Sequence, residues 1–95
     1  MTDDQKTVLI IEIRTDYQIP PYQTDETIRR AIDKVYARLC SLLGKEFDLS
    51  TDKQGKMLLE NGTYYELYHR YEEFEASWQT GILSWQLGSV EEEGE

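Results

Sequence analysis

The sequence predicts an all-α fold, a single small helical domain over residues 1–95 with two long helices at about 24–43 and 52–87. Three observations predict it. Apolar residues in the first segment recur three or four apart between recognisable caps. Large rings in the second recur at the same spacing over about six turns. The β-branched run Val8–Ile13 has no second strand to pair with.

Residues 1–7 are polar and are expected to fray. Val8–Ile13 reads as a short N-terminal helix ending before Pro20-Pro21, because proline lacks a backbone donor and turns the preceding residue away from helix. Thr24 is then an N-cap, Asp25 and Glu26 place negative charge in the first turn, and Gly44 is a C-terminal cap. Between them Ile28, Ala31, Ile32, Val35, Leu39, Leu42 and Leu43 form one stripe, with Arg29, Arg30, Asp33, Lys34 and Arg38 off it. Lys45–Gly55, a polar stretch of eleven residues in which Phe47 and Leu49 alternate, reads as a loop. Connections between helices usually take about 2–8 residues, and long loops often carry function.

The stretch LLENGTYYELYHRYEEF, residues 58–74, holds a conflict between two signals. Asn61-Gly62 between apolar runs is a strong hairpin signal. A second strand would need alternation from Thr63 onward, yet Tyr64 and Tyr65 are adjacent and His69-Arg70 interrupt the pattern. A helix starting near Asp52, with room for a kink, aligns Met57, Tyr64, Leu67, Tyr68, Tyr71, Phe74, Trp78, Ile82 and Trp85 on one broad face. Periodicity favours the helix, at a cost of about 1 kcal/mol for a glycine in its interior. Gly62 would leave room for close approach of a neighbouring backbone. Residues 88–95, ending in EEEGE, form an acidic tail too polar to pack alone.

The formal charge of −9, from 19 acidic and 10 basic residues, opposes nucleic-acid binding by counterion release. One cysteine allows no internal disulfide, and no basic-then-apolar leader precedes the helices, so a reducing cytoplasm is the expected setting. The run Val8–Ile11 is far short of the roughly 20 apolar residues that span a bilayer. No catalytic, cofactor or metal site is expected. Cys40 lies within the first long helix as a core or flank residue, and His69 lies on a flank without a nucleophile signature. The carboxylate runs read as solvated faces, and the glycines are scattered, so no phosphate cradle forms.

Seven of the eleven aromatics lie between Tyr64 and Trp85. Core packing accounts for Phe74, but two helices cannot enclose so many rings, and Tyr and Trp favour interfaces. Phe47, Leu49, Tyr64, Tyr68, Tyr71, Trp78 and Trp85 are therefore the expected contacts with another subunit or partner.

The segments LLENGTYY, EEFEASW and ILSWQL, after TDETIRRAIDKVYARLCSLLGKEFD, resemble the small head-tail connector (adaptor, head-completion) proteins of long-tailed phages and prophages. Leu58, Leu59, Asn61, Tyr65, Phe74, Trp78, Ile82, Leu83 and Leu87 carry the resemblance, which spans roughly residues 8–88. It departs at Tyr64, where the family often has arginine, and at Gly62, where an aromatic is common. The resemblance implies a structural virion protein at the virion neck, present in the host cytoplasm before assembly. It implies a homo-oligomeric ring of about twelve copies that joins the portal protein to a tail or stopper protein. DNA would pass through without specific binding, since an acidic wall offers phosphates no purchase. The competing reading from charge alone is a small acidic regulatory or DNA-mimic protein that binds a basic protein partner.

Overall fold

The structure, a computed structural model, describes residues 1–93 and the side chains of residues 1–88. It is all-helical, with five helices among the described residues: α1 Asp3–Asp16, α2 Asp25–Leu43, α3 Lys53–Leu67, α4 Tyr71–Ser77 and α5 Gln79–Glu93. The molecule is elongated, with principal extents of 45 × 29 × 19 Å.

Residues 3–7, expected to fray, are helical because Thr2 and Gln5 form a reciprocal capping box at the start of α1. Val8–Ile13 is helical as expected, within a longer element than that run alone. Its buried face is Leu9, Ile10 and Ile13. Past the helix, Gln18 takes a left-handed φ of 51° and the Ile19 amide reaches back to the Arg14 carbonyl at 3.1 Å. That is the long hydrogen bond of a Schellman ending, here without glycine. Arg14 then ties the end of α1 to the start of α2, donating to Asp25 Oδ1 at 2.7 Å and to the Gln23 carbonyl at 2.6 Å. With Lys6 paired to Asp33 at 2.9 Å, successive contacts run in opposite directions along the two chains, so α1 and α2 form an antiparallel hairpin.

The second helix follows the sequence expectation closely. Thr24 accepts from the Thr27 amide, and Gly44 closes the helix in the left-handed region. Ile28, Ala31, Ile32, Val35 and Leu39 are buried, whereas Leu42 is exposed. Asp52 is the N-cap of α3, with its carboxylate accepting from the Gly55 amide at 2.8 Å.

The segment 52–87 is helical throughout most of its length but is divided, and the divisions matter. At Tyr68–Arg70 the chain makes a complete Schellman ending: Arg70 donates to the Tyr65 carbonyl at 2.9 Å, and His69, at φ 57°, donates to Glu66 at 3.0 Å. The sequence carries no glycine at this point, which is why the periodicity alone reads through it. A second, milder interruption falls at Trp78, where the Trp78 amide still bonds the Phe74 carbonyl and Ile82 bonds Trp78, both at 2.8 Å. The chain therefore doubles back, and α5 reaches α2, α3 and α4.

Asn61-Gly62 lies inside α3, as the ring periodicity predicts. A Cβ at Gly62 would stand 2.7 Å from Val35 Cγ1 and 3.3 Å from Phe74 Cε2. What approaches Gly62 is thus two side chains, one from α2 and one from α4, rather than a backbone. The buried face of α3 is set by Leu58, Leu59, Gly62, Thr63 and Leu67, while Met57 from the expected stripe is exposed. Phe74, fully buried, sits at the centre of the core.

Candidate interaction surfaces

The rings expected at an interface are largely used within the subunit. Trp85 is 3% exposed and donates its indole N–H to Asp52 Oδ2 at 2.7 Å. Tyr71 is 6% exposed and packs on Phe74 with centroids 5.3 Å apart. Tyr64, Tyr68 and Trp78 are half-buried: Tyr64 lies between Tyr17 and Tyr68, at 5.3 Å from each, and Trp78 stacks on Phe74. The reason is the break at His69. Five helices, not two, close around these rings, so Tyr71 and Trp85 are buried core residues.

The long loop is likewise anchored rather than free. Phe47 packs edge-on to Trp85 at 5.0 Å and tilted to Tyr36 at 5.0 Å. The Tyr36 hydroxyl donates to the Phe47 carbonyl at 3.0 Å, and burial with the neighbouring Cys40 pushes that phenol up to about 12. Gly55 admits the Phe47 ring onto the first turn of α3, since a Cβ there would meet it at 2.7 Å. Leu49 is half-buried against the core. Asp48 holds the loop tip by accepting from the Ser50 amide and hydroxyl at 2.9 and 2.7 Å, which lowers its pKa. The loop's exposed polar atoms border a cleft of about 570 Å³ between Leu43, Asp48, Lys53 and Trp85.

The exposed apolar side chains lie elsewhere, on positions the sequence reading assigned to core stripes or left unassigned. One patch is on α1, where Val8 and Ile11 are 54% and 60% exposed. It continues into a shallow groove of about 280 Å³ bordered by Val8, Leu9, Leu49 and Lys56. The other is formed by Leu42 of α2 and Leu83 of α5, which border one groove, with exposed Leu87 one helical turn beyond Leu83. The two patches are separate: the groove beside the first is bordered by α1, the loop and α3, and the groove beside the second by α2, α4 and α5. Of the acidic tail expected over residues 88–95, the side chains beyond Gly88 lie outside the described residues.

Charge is distributed unevenly between pairs and surplus. Among the described residues, ion pairs hold Lys6, Arg14, Arg29, Arg30, Arg38, Lys56 and Arg70. The acidic excess is therefore left on the surface. Between α1 and α3, Lys56 reaches Glu12 at 2.8 Å, which raises its pKa, and Glu60 lies beside them. Burial raises the Glu60 carboxyl above the ordinary carboxylate range; Glu12 and Asp16 add to this and Lys56 opposes it. Among the described residues no group of three or more His, Cys, Asp and Glu is placed to hold a metal, and no helix is long and apolar enough to cross a membrane.

No protein-family model, curated protein or solved structure matches this chain.

Proposed function

We propose that the chain is a structural subunit of a phage or prophage head-tail connector, without enzymatic activity. It would act at the virion neck after a cytoplasmic stage, in a ring of about twelve copies under the portal. The observation that carries this reading is the pair of separate exposed apolar patches, one on α1 and one on α2 with α5. Contiguous exposed apolar surface marks contact sites, and two unlike patches let a subunit be engaged on two sides at once. A ring member, or a bridge between portal and tail, has that requirement. The unpaired acidic surplus suits a channel through which DNA passes without specific binding.

The test is to mix the purified chain with portal rings and follow it by sedimentation and electron microscopy. Co-sedimentation with an added ring density below the portal is expected. A chain that stays at the top of the gradient at micromolar concentration would remove this reading. The second reading, an acidic protein that binds a basic partner, is favoured by the number of cations already consumed in internal pairs. It predicts a defined small complex and no ring.

A further inference from the structure

We propose that the face built from the C-terminal half of α2 with α4 and α5 docks a basic amphipathic helix of a partner protein, with one of its Arg or Lys side chains in an acidic cleft and its apolar residues in the adjoining groove. The cleft, of about 710 Å³, lies where α2 passes the junction of α3 and α4. Arg38 pairs there with Glu66 at 3.0 Å, and Arg70 pairs with Glu73. Glu72 and Glu75 line the same cleft and have no ion pair among the described residues. The cleft thus keeps uncompensated negative charge after its own cations are used.

A second feature points to a ligand. Tyr71 lines this cleft and is 6% exposed, and its hydroxyl has no hydrogen-bond partner among the described residues. The charged groups acting on that phenol are Glu75, Arg38 and Glu66, all of them lining the cleft. Buried hydroxyls are ordinarily paired. A guanidinium or ammonium entering beside Glu75 would give the phenol oxygen a donor and that carboxylate a counter-ion.

The apolar half of the face is contiguous with the cleft because Glu75 borders both. A groove of about 440 Å³ is lined by Leu42, Ala76, Ile82 and Leu83, with Glu75, Gln79 and Gln86 at its edge. Arg38 and Leu42 are one helical turn apart, about 6 Å along α2. A partner helix whose cation is about a turn from its leucines matches that separation. Charge complementarity excludes the other occupants: acidic rims repel phosphates of lipid and nucleic acid, and a second copy brings a further −9 with most of its cations already paired.

The inference needs this face alone, so it stands or falls separately from ring assembly on a portal. Its test uses the whole chain and a synthetic 16-residue helical peptide with leucines on one face and arginines beside them. Titration calorimetry and amide NMR shifts are the readouts. Binding is expected, with shifted amides confined to the second half of α2, to α4 and to α5. Glu75→Gln and Leu83→Ser, both at exposed positions, are each expected to weaken binding about five-fold, while Glu46→Gln in the loop changes it less than about two-fold. A peptide with glutamates for arginines, or serines for leucines, should not bind. The proposal is overturned by shifts centred on α1, by Glu46→Gln costing as much as Glu75→Gln, by no binding at millimolar peptide, or by self-association that Leu83→Ser abolishes.

Discussion

Two residues, Gln18 and His69, adopt the left-handed backbone region that side chains with a Cβ disfavour, at φ 51° and 57°. Each sits where glycine is usual, just past a helix end, and each is followed by an amide that bonds back into the helix. The strain is offset by what the turn makes possible: Ile19 is buried after the first, and Tyr71 after the second. His69→Gly should remove the strain, since no Cβ remains to clash. A gain of about 0.5–1 kcal/mol is expected from urea unfolding, after the greater flexibility of glycine in the unfolded chain is counted. Glu60 offers a second test at this scale. Its carboxyl is raised by burial, so the folded chain binds that proton more tightly than the unfolded chain does. The ionised group therefore costs stability above its folded pKa, and the cost is relieved as the pH falls. Glu60→Gln should raise the unfolding midpoint at about pH 7, and the two proteins should converge at about pH 3, where the carboxyl is protonated in both states.

Helices α2, α3 and α4 meet at one point, the missing side chain of Gly62. Helix propensity alone says that Gly62→Ala should stabilise α3 by about 1 kcal/mol. The added Cβ, however, would lie 2.7 Å from Val35 Cγ1, and valine has little rotamer freedom within a helix. Overpacking of this kind costs about 1–3 kcal/mol, so a net loss of about 1 kcal/mol is expected. Gly62→Ala combined with Val35→Ala should lose less than the sum of the two single losses, because the second change opens the space that the first needs. Additive losses in chemical denaturation would show that the contact does not set the packing of α2 on α3. Polar links at the same scale join helix ends to their neighbours: Gln23 reaches the Leu67 carbonyl, Gln54 reaches Gly81 and Gln86 reaches Leu42. Each satisfies a carbonyl outside its own helix.

The whole molecule combines a closed aromatic core with two outward apolar patches and a surplus of acid. If the α1 patch joins neighbouring subunits in a connector, Val8→Asp with Ile11→Asp should leave the fold unchanged, because both side chains are more than half exposed. It should abolish ring assembly on a portal. Light scattering checks this: a mass near that of one chain for the variant, against a ring mass for the parent under the same conditions, is the expected result. A variant that still assembles would move the subunit contact off α1.

The sequence sufficed for the helical class, the limits of α2 from Thr24 to Gly44, and the helical state of the Asn61-Gly62 stretch. Those follow from local rules, caps and a period of 3.6 residues, which act within a few turns of chain. It also pointed to Phe74 as core. The break of the helix at His69 emerged from three-dimensional packing alone, because a left-handed histidine leaves no compositional mark and is held there by the packing it allows. That one turn brought α4 and α5 back over α2 and α3. Tyr71 and Trp85, outward on a single straight helix, became inward, and the exposed apolar surface passed to Val8, Ile11, Leu42, Leu83 and Leu87. Periodicity tells which residues share a face; which face meets solvent depends on contacts between residues far apart in the chain.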